Sequence, residues 1–597
     1  MISSLNKLLI LLSMVIFRSF QKLCIAFIFL LFSANGRGQH LSVDIRLNQT
    51  GFYPQGKKIA VLAKDQSGKF MIMSPDLAQT FYTGELSASH KSEYSPTSTR
   101  VADFSGFKTP GTYVVYIPEV GYSYQFDIKA GVHEELAKAA LKSYYFQRMS
   151  TPLSYSYGGK WSRPAGHSDD KVLIHPSAAS AQRKEGSAIS SPKGWYDAGD
   201  YNKYIVNSGI TMGTMLSLYE DYPAFCKQMT IDIPEQSNSL PDLLDELLWN
   251  LRWMLTMQDP NDGGVYHKLT NPSFDGIIMP ADATAPRYVV QKSTAASLDF
   301  AAVTAQAARI FKNFGEVLPG LADSCLKASE KAWSWAVKNP NVLYKQNEMN
   351  SKFKPEVVTG EYGDNNVQDE FIWAASELYI TTGNANYYKA VNLFPDVSMP
   401  VPSWSDVRLL GYYSLLRFEK QLTPVSTKDI PSLKKSLLAE ANELLLGYQS
   451  TAYVTPMCKS EKNFIWGSNA VAANQAILLL QAYRLTKDPN YTTGALEYLD
   501  YLLGRNATGY SYITGYGDKT PMFPHHRPSG ADEVREPVPG LLVGGPNPGK
   551  QDKCEYPSSI ADEAYTDVMP SYASNEVAIN WNAPFVYLVW AIEDIYR

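Results

Sequence analysis

The run Ala295-Ala-Ser-Leu-Asp-Phe-Ala-Ala-Val-Thr-Ala-Gln-Ala-Ala-Arg-Ile310 is apolar or alanine-rich on nearly every side of a helix. Such a helix has little surface to offer water and must be buried on more than one side. Ala470 to Ala482 has the same texture. Around these two, helical spacing of apolar residues recurs over Val132 to Gln147 and, approximately, over 202–220, 240–257, 293–312, 321–338, 367–382, 385–395, 404–417, 431–446, 468–486, 490–504 and 583–596. Some of these stretches are apolar all round and others carry a single stripe. About twelve helices in two burial classes predict a closed double ring of helical hairpins. A helical solenoid has the same local signature, although no fixed repeat period runs through the chain.

Upstream the texture is different. Val43 to Leu47, Lys58 to Ala63, Phe70 to Ser74, Thr99 to Asp103 and Gly111 to Ile117 are short runs rich in Val, Ile, Tyr and Phe. Turn signals such as Tyr53-Pro-Gln-Gly56, Gln66-Ser-Gly68 and Thr109-Pro-Gly111 separate them, which predicts a small β-sandwich. Before it stand two apolar runs, Leu8 to Phe17 and Leu23 to Phe32, split by Arg18 and Lys22 and followed by Ser33-Ala-Asn-Gly36. This is the tripartite form of a secretory signal, and each run is too short to span a bilayer. The organisation read from the sequence is therefore a signal peptide over 1–38, a β-sandwich over 39–130 and a helical domain over 131–597. The product is expected to be exported, periplasmic or secreted, without a stable membrane anchor.

The 597 residues are 45% hydrophobic and 19% charged, with a net charge of −5, values that describe packed cores and leave no basic stripe for nucleic acid. Beyond the signal stand Cys226, Cys325, Cys458 and Cys554, widely spaced, with no Cys-x-x-Cys and no cluster of the kind zinc needs. Aromatic residues reach 12%, with 39 Tyr and 11 Trp, more than enough to line a cleft as well as fill a core.

Three segments carry chemistry. Gly194-Trp-Tyr-Asp197-Ala-Gly-Asp200-Tyr places two carboxylates three apart, where one turn brings them to the same side and both can address one water. Either acid could instead cap the helix starting near Asn202. Glu576 sits among Tyr572, Val577, Ile579 and Trp581, ahead of a last helix with Pro584 in its first turn and Asn582 as cap. Apolar neighbours would desolvate this carboxyl and raise its pKa, as a general acid near neutral pH requires. Pro524-His525-His526-Arg527-Pro528 fixes two histidines and an arginine between prolines, suited to sugar hydroxyls or to orienting a carboxylate. One segment misleads. Gly544-Gly-Pro-Asn-Pro-Gly-Lys550 resembles a phosphate loop, but Gln551 stands where Ser or Thr is needed, and Pro546 and Pro548 remove amide donors. A carboxylic acid facing a carboxylate across a cleft is the machinery of glycoside hydrolysis.

Together these segments resemble glycoside hydrolase family 9, the cellulase family once called E. Gly194 to Tyr204 looks like its catalytic-base motif, Leu503 to Ser529 its histidine signature, and Tyr565 to Ala583 its acidic signature. Shorter matches are Asp262-Gly-Gly-Val-Tyr-His267-Lys, Tyr362-Gly-Asp364 and Asp369-Glu370-Phe; Ile45 to Pro54 resembles the start of the immunoglobulin-like module found before many members. The resemblance implies an N-terminal immunoglobulin-like β-sandwich followed by an all-α (α/α)6 barrel, and an inverting reaction. It implies Asp200 as general base, Asp197 as a second holder of the water, Glu576 as general acid, and His525 and Asp567 as supporting catalytic residues. It further implies substrate contacts from Arg527, Tyr572 and His267, with the base and acid about 6.5–9.5 Å apart. No cofactor is expected to be required. The resemblance leaves room for a structural calcium and speaks against zinc: the segments that hold zinc in many relatives contain His167 and His175 here, but no cysteine. The expected activity is endo-hydrolysis of β-1,4-glucosidic bonds in cellulose or a related β-glucan. A xyloglucan or mixed-linkage enzyme, an exo-acting enzyme and a non-catalytic carbohydrate-binding protein are the alternatives.

Overall fold

The computed structural model describes residues 40–597; the expected signal peptide lies outside the described residues. Two small antiparallel sheets come first. One has the order β1 (Ile45–Arg46), β2 (Ile59–Leu62), β6 (Ser98–Asp103), β5 (His90–Lys91). The other runs β4 (Thr80–Glu85), β3 (Lys69–Met73), β7 (Gly111–Ile117), β8 (Gly121–Tyr122), with β9 (Phe126–Ile128) also paired to β7. Their facing sides close over Leu62, Phe70, Ile72, Phe104 and Val115, all fully buried. The sequence reading omitted β4. Its pattern is mostly exposed, so it lacks the apolar alternation that marks a half-buried strand.

Besides five further short α-helical segments in the connections, twelve helices among the described residues make up the barrel. In chain order they are α1 (Glu134–Phe146), α2 (Ile205–Asp221), α3 (Asp242–Thr256), α4 (Thr294–Phe311), α5 (Leu321–Lys338), α6 (Gln368–Thr382), α7 (Ala385–Ala390), α8 (Arg408–Arg417), α9 (Ile430–Leu445), α10 (Ser468–Thr486), α11 (Pro489–Leu502) and α12 (Ile579–Tyr596). The even-numbered helices form the inner ring of an (α/α)6 barrel: α2 packs on α4 and α12, α6 on α4 and α8, and α10 on α12. They are the ones buried nearly all round. Of α4, the helix built from the alanine-rich run, only Arg309 is more than slightly exposed. Small side chains let the inner helices pack on two sides at once. Local chemistry sets their ends. Ser293 caps α4 by accepting the amide of Ala296, Asp488 caps α11 with Pro489 at its first position, and Gly383 ends α6 in the left-handed conformation.

The last helix differs from expectation. It starts at Ile579, so Pro584 lies inside it and Asn582 does not cap it. Asn582 instead donates to Ala140 O (2.9 Å) and Ser143 Oγ (2.8 Å) and accepts from the amide of Leu542 (2.9 Å). Its side chain is spent tying α12 to α1, and that tertiary demand outweighs the end signal of the proline. The sandwich is welded to the barrel by buried polar bonds. Asn48 Nδ2 donates to Asp500 (2.8 Å), Tyr53 Oη to Glu593 (2.6 Å) and Gln49 Nε2 to Gly509 O (2.9 Å), while Lys57 pairs with Glu497 (2.6 Å). Over one end of the barrel lies a five-stranded sheet that sequence reading missed: Ala188–Ile189, Val172–Ile174, Tyr288–Val289, Lys268–Thr270 and Lys203–Tyr204. Its strands are two or three residues long, too short to leave a periodicity.

Candidate active site

The loop before α2 and the segment before α12, nearly 400 residues apart, meet at this end of the barrel. Ile579 N donates to Asp197 O (2.8 Å), Arg527 Nη1 donates to Gly199 O (2.7 Å), and the amide of Gly199 bonds to the Glu576 carboxylate. His525 and Glu576 pair as neighbouring extended residues, the His525 amide donating to Asn575 O (2.8 Å). The approach is so close that a side chain at Gly199 would run into the His525 backbone.

Asp197 is 2% exposed, and both its oxygens are engaged: Asn207 Nδ2 donates to Oδ1 (2.6 Å) and Tyr362 Oη to Oδ2 (2.9 Å). Asp200 accepts from Asn202 Nδ2 (2.6 Å) and Tyr204 Oη (3.1 Å), both on Oδ2, which leaves Oδ1 without a protein hydrogen bond. Neither acid caps α2, whose N-cap is Tyr204 with no side-chain bond. Burial pushes the Asp197 carboxyl well up, and the neighbouring Asp200 adds to it. Glu576 is partly exposed. Burial of its carboxyl raises it well above the ordinary range, Asp200 and Asp197 push in the same direction, and Arg527 pulls back. Asp200 thus acts on both other carboxyls, and Asp197 acts on Glu576.

The supporting residues divide by what they touch. His525 shares Nδ1 with Met569 O (2.7 Å), which fixes the ring, and burial lowers its pKa so that the neutral form is favoured. Arg527 is nearly buried, its Nε on Asp275 O (2.9 Å) and its guanidinium 5.6 Å over the Phe274 ring. Asp567 accepts the amides of Met522 (2.8 Å) and Phe523 (2.9 Å) and Asn575 Nδ2 (3.0 Å), so it shapes the loops of His525 and Glu576. Tyr572 lies between the His525 ring (6.0 Å) and Trp466 (5.4 Å). Trp466 and Phe523 are 41% and 60% exposed, and Trp404 stands edge-on to Tyr362 at 5.4 Å, so rings flank the carboxylates on several sides.

His267 is placed differently from the expected substrate contact. It is 1% exposed, Nδ1 is on Ser293 Oγ (2.9 Å), Nε2 is on Glu361 O (2.8 Å), and the ring stacks on Tyr344 at 4.1 Å. With both nitrogens spent inside the protein it braces the loop that carries Tyr362. Tyr362, Asn207 and Tyr204 contact the acids; the sequence reading quoted Tyr362 and Tyr204 within motifs but gave neither a role, and it did not mention Asn207. Tyr204, four residues after Asp200, was within reach of a spacing argument. Asn207 carried no signal beyond being a polar residue in an apolar helix. The Gly544–Lys550 segment serves this site too: Gly544 N donates to Glu576 O (2.9 Å) and Gly545 N to Ser574 O (2.8 Å).

The two histidines of the zinc-type segments are turned mostly to protein partners. His167 Nδ1 is on Tyr196 Oη (3.0 Å), which leaves only its Nε2 without a partner, and both nitrogens of His175 are engaged, with Ser177 and Pro355. Lys203 and Arg287 beside His167 both pair with Asp169 at 2.7 Å, so cations already occupy this neighbourhood. Buried carboxylate oxygens gather elsewhere. Asp299 is fully buried with no partner on either carboxylate oxygen; beside it Glu370 and Asp369 lie close enough to share a proton, and Asp364 leaves one oxygen unpartnered. Although no three such side chains among the described residues converge into a finished cage, this oxygen-only set is of the kind calcium takes.

Comparison with known proteins gives the family. Residues 133–589 match the model of glycosyl hydrolase family 9, and residues 42–122 match that of the cellulase N-terminal ig-like domain. A xyloglucan-specific endo-beta-1,4-glucanase of Bacteroides ovatus is 47% identical over 551 residues, 92% of this chain and 93% of that one. Endoglucanase D of Acetivibrio thermocellus is 35% identical over 91% of this chain and 82% of its own. A solved Bacteroides ovatus family 9 structure superposes with a TM-score of 0.89 at 45% identity, over 94% of this chain and all of that one.

Proposed function

This chain belongs to glycosyl hydrolase family 9, and from that premise we propose that it is an inverting endo-β-1,4-glucanase whose preferred substrate is xyloglucan. The observation that carries the chemistry is the junction of Asp197, Asp200 and Glu576 through the Gly199 segment, with Asp200 raising the pKa of both other carboxyls and Asp197 raising that of Glu576. A glycosidic oxygen beside Glu576 receives its proton as the bond to the anomeric carbon breaks. A water held by Asp197 and the free oxygen of Asp200 attacks that carbon from the other face and yields its proton to Asp200. Burial keeps Glu576 protonated to higher pH than an exposed glutamate. His525, held neutral, and Arg527 are assigned to sugar hydroxyls, and the rings of Trp404, Trp466 and Tyr572 to sugar faces. Xyloglucan is favoured over unbranched cellulose by the likeness to the Bacteroides ovatus enzyme over nearly the whole of both chains.

Two further readings belong here. We assign the enzyme to an exported location, on the strength of the signal-like start of the sequence and of a substrate too large to enter a cell; no helix among the described residues is long and apolar enough to cross a membrane. We also assign a structural calcium to the carboxylates of Asp299, Asp364, Asp369 and Glu370, where its charge would offset theirs.

The test is a time course of viscosity and products on xyloglucan, carboxymethyl-cellulose, mixed-linkage glucan and chitosan oligomers. A rapid viscosity drop, fastest on xyloglucan, with products of inverted anomeric configuration is expected. Glu576→Gln should lower turnover by at least about 100-fold with the fold intact. Full activity of that variant would refute the acid assignment, and release of monomer alone would refute endo action.

A further inference from the structure

We propose that a groove on the outer wall of the barrel, next to the catalytic end, binds a second stretch of the same β-glucan chain; this rests on the β-glucanase reading. The groove holds about 530 Å³, within the range of ligand clefts. One wall is the outward stripe of α1, where Glu135, Lys138, Ala139, Lys142 and Phe146 recur at three- and four-residue steps. The segment from Thr230 to Gln236 also lines the groove, as do the rings of Tyr155, Tyr157, Trp161 and Tyr516.

Three properties select the ligand. The first is aromatic. Tyr155 is 77% exposed, so its ring face is open to a ligand. Trp161 is held by its indole N–H on Glu536 O (2.9 Å) and by an edge contact with Phe146 at 6.0 Å. Rings with a fixed polar tip and an accessible apolar face suit the C–H faces of sugars. The second is charge. Lys138 pairs with Glu134 and Glu135 at 2.8 Å each, and Lys142 with Asp232 at 2.9 Å. Each cation in the groove is thus matched within it, which leaves hydrogen-bonding capacity without a net field and favours a neutral polar ligand over a nucleic acid or an ionic polymer. The third is continuity. Phe146 lines the groove, and the next residue, Gln147, donates to Ala198 O (3.1 Å) and shares a hydrogen bond with His526 (3.0 Å) in the catalytic loops. A polysaccharide long enough to leave the cleft over this rim can hold both places at once, and the second contact then raises retention without touching the reacting bond.

The test uses the full chain made inactive by Asp200→Asn, run by affinity electrophoresis through gels containing xyloglucan, hydroxyethylcellulose or α-linked pullulan. In that background Tyr155→Ala with Trp161→Ala should weaken retention by either β-glucan about five- to tenfold, with no retention by pullulan in any form. Tyr155→Ala alone should give a smaller loss and Tyr155→Trp should restore it, which keeps the test decisive if the Trp161 change disturbs folding. In the active enzyme the same changes should leave kcat/KM on a short xyloglucan oligosaccharide unchanged. Unaltered retention of the double variant, or an equal loss on the short oligosaccharide, would overturn the proposal. Wild-type enzyme inactive on every β-glucan would instead overturn the reading on which it rests.

Discussion

Replacing Gly199 by alanine tests whether the site depends on the fit of two loops from distant parts of the chain. A Cβ built there stands 3.0 Å from both the carbonyl carbon and Cδ2 of His525 and closer still to the carbonyl oxygen. The obstacle is mostly backbone, which cannot rotate away as a side-chain tip can. Relief requires the loop of Asp197 and Asp200 to part from the segment of His525 and Glu576 by about 1 Å, since non-bonded heavy atoms settle at about 3.5 Å. That movement stretches the 2.7 Å bond from Arg527 Nη1 to Gly199 O and the amide contact from Gly199 to Glu576. A misplacement of about 1 Å between reacting groups costs on the order of 100-fold in rate. The crowding itself costs about 1–3 kcal/mol of stability, which a chain of this size survives. The assay is kcat on a xyloglucan oligosaccharide together with a thermal melt. The control is Gly276→Ala, at a position with open space around the added atom. A kcat near 1% of wild type with a folded protein is expected, against an unchanged control. If Gly199→Ala turns over within threefold of wild type, the close apposition of the two loops is not what aligns the acids.

Two other outcomes follow from the electrostatics. Glu576 must be protonated to act, and its pKa is raised, so kcat/KM should persist above the ordinary glutamate range and fall as pH rises through that value. Arg527 is the neighbour that lowers it, so Arg527→Met should move the alkaline limb of the pH profile to higher pH whatever it does to the maximum rate; a limb that stays or moves down refutes the coupling. For the carboxylates around Asp299 and Glu370, adding calcium should raise the melting temperature and a chelator should lower it, by about 2.7 kcal/mol of stability at a hundredfold excess over the dissociation constant. Asp299→Asn with Glu370→Gln should abolish the response, and a melt indifferent to both calcium and chelator would refute the assignment.

Much of this protein could be read from residue order because periodicity is a local property. The all-round apolar run at 295–310 marked a helix buried on more than one side, without deciding between a closed ring and a solenoid, and the short turn-bounded strands before residue 130 pointed to a sandwich. Gly194 to Tyr204 and Tyr565 to Ala583 announced carboxylates in aromatic surroundings, where a raised pKa is a matter of nearby composition. What residue order could not decide is which distant groups satisfy each other. Asn582 was free to cap its helix until α1 offered it a carbonyl and a hydroxyl. His267 looked available until Ser293 and Glu361 took both its nitrogens. The Tyr362 hydroxyl reached Asp197 across 165 residues, and Gly199 became irreplaceable only where His525 came to lie against it. A carboxylate's neighbours in sequence fix how dry its surroundings are, but the partners that orient it are chosen by packing, and packing exists only once the chain has closed on itself.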